Sequence, residues 1–200
     1  MPRLLQINTS IFSDGSQSTG LADAFTARWR TANPDGMVSV RDFARDPVPH
    51  LDAHSFRAFT TPEAERSAAQ RAAVAYSDAL IDELRAADVI VIGLPMYNFG
   101  VPSTLKAWFD HVARAGVTFR YTADGAVGLL ADRKVYLLAA RGGRYLGTEL
   151  DTQSRYVRDF LAFLGLRDVE FVYAEGLQLG EQEASAALAA ANACIEALAA

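Results

Sequence analysis

Residues 88–121, DVIVIGLPMYNFGVPSTLKAWFDHVARAGVTFRY, constrain this chain more than any other stretch. They open on an unbroken apolar run at 89–94. A run this short and this apolar reads as a strand buried on both faces, the signature of a parallel sheet. Pro95 has no N–H for a ladder and is expected to stop the strand. The loop Met96-Tyr97-Asn98-Phe99-Gly100 follows, and Val101-Pro102 then leads into a helix with Ser103 as its expected N-cap. That helix is expected to end at Arg114-Ala115-Gly116, with a cation in its last turn and a glycine just past it. The loop therefore sits at the carboxyl end of a central strand, where open α/β sheets bind ligands.

Met96, Tyr97 and Phe99 are large and apolar for a connection, and Asn98 among them can donate and accept. Such a surface suits a flat aromatic ligand. The same residues could equally pack into the core beneath the sheet.

Two other strand ends carry comparable signals. Residues 3–8 read as a first strand, followed by a hydroxyl-rich loop and then by Leu21, Ala24, Phe25 and Trp29 at helical spacing. Ser10, Ser16, Gln17 and Ser18 thus precede or open a helix whose first N–H groups are unpaired and partly positive, an arrangement that suits a phosphate. Taken alone, the loop also reads as an ordinary connection with a serine N-cap. It has neither a P-loop lysine nor a GxGxxG, which weakens ATPase and Rossmann readings. Residues 134–139 read as another strand, ending at Ala140-Arg141-Gly142-Gly143. Two glycines there let a backbone approach a ligand and present N–H groups, although a plain turn needs them as well.

The rest of the chain completes an alternating pattern. Residues 37–43 read as a strand, and 44–59 as a long polar loop with two exposed histidines, His50 and His54. A long helix is expected from Thr61-Pro62-Glu63 to about residue 87. Residues 117–122 with the Asp124-Gly125 turn predict a short hairpin. Further expectations are a helix over 151–164, closed by Gly165, a fifth sheet strand over 168–173 and a last helix over 181–199. Strands alternating with helices imply an α/β, doubly wound parallel sheet of five strands with right-handed crossovers. The loops after the first, third and fourth sheet strands then converge on one crevice.

Two hundred residues suit a single α/β domain spanning residues 1–200. A net charge of −5 without a basic block argues against nucleic acid or anionic membrane as partner, and no apolar segment is long enough to span a bilayer. One cysteine, Cys194, can build neither an internal disulfide nor a metal cluster, so a reducing cytoplasm is the natural compartment. No metal site is expected from the histidines.

The stretch PMYNFGVPSTLKAWFDHVARAGVTFRYT resembles the signature region of the FMN-dependent NADH:quinone reductases and azoreductases of the flavodoxin-like superfamily. PMYNF, the TLK…FD helix and ARAGVTFRYT stand in the order that family uses, and the likeness runs nearly the whole chain. The resemblance implies the flavodoxin-like strand order 2-1-3-4-5 with helices on both faces. It also implies one non-covalent FMN per chain, reduced by NADH, with NADPH possible, and ping-pong transfer to quinones or aromatic azo compounds.

By motif, the FMN contacts would be Ser10, Ser16, Gln17, Ser18, Met96, Tyr97, Asn98, Phe99, Arg141, Gly142 and Gly143, with Ala140 standing where relatives carry serine. The flavin would carry the hydride, so no catalytic acid–base residue is implied. The family also implies a homodimer with active sites at the subunit boundary, Tyr121 and Phe163 lining the acceptor pocket. Tyr121 and Phe163 could instead both be core residues. Trp108, Phe119 and Tyr121 form an aromatic stretch that a monomer would partly expose. The alternative is a flavodoxin-type electron carrier, but such carriers tend to be much more acidic and carry acidic residues around the flavin edge, whereas this chain is only mildly acidic and is expected to have an aromatic rim there.

Overall fold

Alternation along the strands builds two cores. In the computed structural model, which describes residues 1–198, the elements in chain order are β1 (Arg3–Asn8), α1 (Gln17–Ala32), β2 (Met37–Asp42), α2 (Ala53–Thr60), α3 (Ala68–Ala86), β3 (Val89–Pro95), α4 (Ser103–Val112), β4 (Phe119–Thr122), β5 (Gly125–Gly128), β6 (Lys134–Ala140), α5 (Thr152–Leu164), β7 (Val169–Ala174) and α6 (Glu181–Leu198). Successive strand side chains point to opposite faces. Ile90, Ile92 and Leu94 of β3 join Leu5, Ile7, Val135 and Leu137 on one face, packed against α3, α4 and α5. Val91 joins Leu4, Tyr136 and Leu138 on the other face, against α1 and α6.

The five long strands pair in parallel in the order β2-β1-β3-β6-β7, the expected 2-1-3-4-5 once the hairpin is set aside. The hairpin β4–β5 forms as the Asp124-Gly125 turn predicts. The C-terminal helix is described as far as Leu198, and its expected last residue, Ala199, lies outside the described residues.

Several boundaries differ from the sequence reading. Pro95 is the last residue of β3 rather than its stop, paired with Ala140. β1 ends opposite Gly93, so Pro95 lies beyond that neighbour, and Met96 N–H carries the ladder on to the Ala140 carbonyl. Pro102, not Ser103, occupies the N-cap of α4, with no side-chain cap, and the helix ends at Val112. Arg114 is no exposed C-terminal cation: it is buried and bonds Ser77 and Asp78.

The expected loop 44–59 contains α2, capped by Asp52, which accepts from Ser55 N–H and places His54 on a helix. The long helix begins at Ala68, capped reciprocally by Ser67 and Gln70, while Glu63–Glu65 forms only a single 3-10 turn. Trp108 and Phe119 are buried, so of the aromatic stretch only Tyr121 is exposed.

Candidate active site

The loops after β1, β3 and β6 meet as the topology requires, and the loop after β7 joins them. Together they enclose a crevice of about 320 Å³ at the carboxyl end of the sheet. Ser10, Ser16, Gln17, Ser18, Met96, Tyr97, Ala140, Arg141 and Gly142 line it. Phe12, Gly15, Pro95, Leu177 and Gln178, which the sequence reading did not assign to the site, complete the wall. Asn98, Phe99 and Gly143 are adjacent in the chain but do not line it.

On the β1 side, Ser16 caps α1 by accepting from Thr19 N–H, and its hydroxyl lies 3.2 Å from that of Ser18. The first N–H groups of a helix have no partner within it and carry partial positive charge, so this corner favours an anion. Gly93 brings that helix end onto the sheet. A Cβ there would stand 2.9 Å from the Ser18 carbonyl oxygen, so any larger residue in mid-strand would push α1 away.

The β3 loop is a tight turn closed by Tyr97 and Gly100, which exchange N–H···O bonds of 3.1 and 3.0 Å. Both central residues have positive φ, Asn98 at 50° and Phe99 at 64°. That is the left-handed geometry of a primed hairpin turn, familiar for asparagine and costly for phenylalanine. Phe99 is 47% exposed, with its ring edge-on to Tyr145. The Tyr97 hydroxyl reaches back 3.1 Å to Ser10 Oγ and so ties the β3 loop to the β1 loop.

On the β6 side Arg141 lines the crevice, and its guanidinium is buried away from solvent. There it pairs with Glu175 and Asp151 at 3.0 Å each, donates to Ser154 Oγ at 2.7 Å and lies over the Tyr173 ring. Burial alone would push the Asp151 carboxyl up, but hydrogen bonds from Arg141 and Ser154 hold it below the ordinary carboxylate value. Arg141 therefore braces the loop through its two terminal nitrogens, while its buried Nε has no hydrogen-bond partner among the described residues. Gly142 and Gly143 accept at their carbonyls from Gln178 and Gly176, and their N–H groups have no partner among the described residues.

A crevice with a helix N-terminus at one end, an apolar wall and unpaired backbone donors at the other fits a phosphorylated planar ring. The comparisons agree. The chain matches the flavodoxin-like fold family over residues 2–198. The chain belongs to that family. It is 58% identical to an FMN-dependent NADH:quinone oxidoreductase of Cellvibrio japonicus, across 92% of each chain, and 57% identical to one of Burkholderia thailandensis, across 99% of this chain and all of that one. Among solved structures it superposes on an azoreductase from Bacillus anthracis str. Sterne with TM-score 0.91 and 28% identity, covering 100% of this chain and 99% of that one. An FMN-dependent NADH-azoreductase from Bacillus anthracis str. Ames Ancestor, solved in complex with FMN, gives TM-score 0.88 at 25% identity, covering 100% and 98%.

In this flavodoxin-like chain the residues assigned to the acceptor pocket lie apart from the crevice. Tyr121 stands on the hairpin, 75% exposed. Phe163 is half-buried against the core, its ring 4.2 Å from that of Phe119. His111 is a packing residue. It is buried, its Nε2 lies 3.0 Å from the Pro49 carbonyl oxygen, and burial pushes its pKa down. The wall residues Leu177 and Gln178 were findable: they follow a sheet strand just as the three other loops do, and Gly176 with φ of 77° marks the turn.

Proposed function

We propose that this chain is an FMN-dependent NADH:quinone oxidoreductase that also cleaves aromatic azo compounds. The observation that carries the reading is the single crevice at the strand ends, with an anion-favouring helix end and spare backbone donors. The relatives' shared activity names the ligand. When bound, FMN supplies two-electron chemistry, accepting hydride from NADH or NADPH and returning it to the acceptor.

The residues of the chain bind and orient. Ser16, Gln17 and Ser18 hold the phosphate with helix N–H groups and hydroxyls, without a cationic side chain. Ser10 and Tyr97 set the width of the crevice between the first two loops. Phe12, Met96 and Leu177 exclude water from the ring, and the N–H of Gly142 receives charge that reduction places on it. Asn98, at the tip of its turn beside Phe99, offers an amide to the ring edge. Ala140 has no side-chain polar group and contributes backbone only. No side chain need exchange a proton, because hydroquinone protons come from water.

We read residues 1–200 as one doubly wound FMN-binding domain working as a homodimer in the cytoplasm. Ile11, Phe12, Phe99, Leu146, Leu150 and Leu179 are exposed apolar residues on the four loops that frame the crevice, and a second subunit bringing Tyr121 or Phe163 would cover such a surface. No helix among the described residues is long and apolar enough to cross a membrane.

The test is stoichiometric. The purified protein binds one FMN per chain and consumes one NADH per quinone, since a quinone takes two electrons. It consumes two NADH per azo bond, since cleavage to two amines takes four electrons. Binding of FMN without NADH oxidation would identify an electron carrier instead.

A further inference from the structure

Gln153 is the second residue of α5, 1% exposed, and it does not line the crevice. Its amide nitrogen has two protons and spends both on backbone carbonyls of one short segment. One bond goes to the Pro95 oxygen at 2.9 Å, where β3 ends, and the other to the Gly100 oxygen at 3.0 Å, where the turn ends. Both acceptors are carbonyls, so only the NH2 face can serve, and the amide orientation is fixed by chemistry. The Gln153 Oε1 faces the Arg141 guanidinium at 3.5 Å. The preceding residue, Thr152, donates its hydroxyl to the Phe99 carbonyl from the exposed side. Three carbonyls of the 95–100 segment are thus gripped by two adjacent residues of α5.

The gripped segment is the one with the backbone cost. Asn98 and Phe99 both stand at positive φ, and a phenylalanine held there needs surroundings that over-determine it. We infer that Gln153 is a positioning residue for the flavin pocket. It holds the Tyr97–Gly100 turn in its left-handed form. This inference rests on the FMN reading above. Met96 and Tyr97, which line the crevice, hang between the two carbonyls that Gln153 holds. Loss of the amide donor releases both ends of the segment at once.

Flavin-free wild type, Gln153→Met and Gln153→Glu are each titrated with FMN well below their melting temperatures. The visible circular dichroism of the bound flavin is recorded at saturation. Methionine keeps the length and loses the donor; glutamate turns a donor into an anion facing two carbonyls. The expected result is at least ~10-fold weaker FMN binding for Gln153→Met, as two buried acceptors lose their partner, and a larger loss for Gln153→Glu. The dichroism of the residual complex changes shape in both.

A residue that only stabilised the fold would lower the melting temperature and leave affinity and dichroism at wild-type values, and that result overturns the inference. If neither variant folds, Thr152→Val, on the exposed side of the same turn, decides. A several-fold weaker affinity with altered dichroism supports the grip, and wild-type values for both overturn it. Failure of the wild type itself to bind FMN would refute the proposed function rather than the role of Gln153.

Discussion

The two sides of the crevice solve the same problem in opposite ways. The β1 side is built from small hydroxyls, and their partners are one another, backbone N–H groups and a tyrosine hydroxyl: Ser16 with Ser18 and Thr19 N–H, Ser10 with Tyr97 and Phe12 N–H. The β6 side is built on a buried guanidinium whose carboxylate partners come from two other segments, Asp151 before α5 and Glu175 after β7. On the first side the polar groups can turn toward a ligand at small structural cost. On the second they are committed to the fold, and only the backbone above them is free. Substitutions on the β1 side should therefore change binding and spare stability, and substitutions on the β6 side should do the reverse unless they touch the glycines.

The largest effect expected is from Arg141→Met. Removing one partner of a buried ion pair leaves uncompensated charge and costs ~3–5 kcal/mol. Urea denaturation of the flavin-free protein should show that loss. A stability within ~1 kcal/mol of wild type would mean that Asp151 and Glu175 find water once the guanidinium is gone, and the contrast between the two sides would collapse.

Ser16→Asp should show the opposite pattern. Aspartate caps a helix about as well as serine, so urea stability should hold. A carboxylate beside a phosphate is another matter: unit charges ~4 Å apart repel by ~4 kcal/mol at an effective dielectric of ~20. FMN affinity should fall by at least ~100-fold, measured by fluorescence titration. Ser16→Ala separates charge from cap. It should cost ~1 kcal/mol of stability and only a few-fold in affinity, since one hydroxyl among several donors is lost. Equal, negligible changes from both variants would move the phosphate elsewhere.

How much of this is legible in the chain itself depends on the range of the interaction. The strands follow from apolar runs and a local period, which residues 89–94 and 134–139 carry plainly, whereas their order in the sheet is implied by the family resemblance. The direction of a side chain does not. The Arg-Gly-Gly pattern places Arg141 at a strand end, but whether its guanidinium faces ligand or core is decided by Asp151 and Glu175, 10 and 34 residues away. Arg114 is misplaced for the same reason, since its partner Asp78 is 36 residues distant. α2 is hidden for another: it is only eight residues long with only Ala58 buried, too short a window for a helical period to stand out. The primed turn at Asn98-Phe99 is hidden because it has no glycine at either central position, and its grip comes from Gln153.

The glycines test the backbone of the second side with a moderate effect. A Cβ on Gly142 would stand 3.0 Å from Gln178 Cγ, a flexible neighbour on the crevice wall, whereas one on Gly143 would stand 2.6 Å from the Tyr145 ring. Gly142→Val should therefore weaken FMN roughly tenfold by crowding the ligand side, with little loss of stability. Gly143→Ala should act mainly on stability, by displacing Tyr145. The reverse assignment would show that Gly143, not Gly142, faces the flavin.

The smallest effect separates the two sides by pH. Asp14 and Asp23 flank Ser16 and Gln17 without lining the crevice, whereas Asp151 braces the β6 side with its pKa held below the ordinary value of 3.8. A carboxyl whose folded pKa is depressed contributes stability that is present above its unfolded pKa and is lost as pH falls through the folded one. Acidification from about pH 5 should therefore lower the melting temperature of flavin-free wild type progressively. Asp151→Asn keeps an oxygen for the Ser154 N–H and a good N-cap, but removes the titrating charge. Its melting temperature should be lower than wild type at neutral pH, where Arg141 retains only Glu175, and should fall less steeply in acid, so that the two curves approach each other. Parallel curves would mean that Asp151 holds Arg141 as a hydrogen-bond acceptor alone, and that the charge committed to this side resides in Glu175.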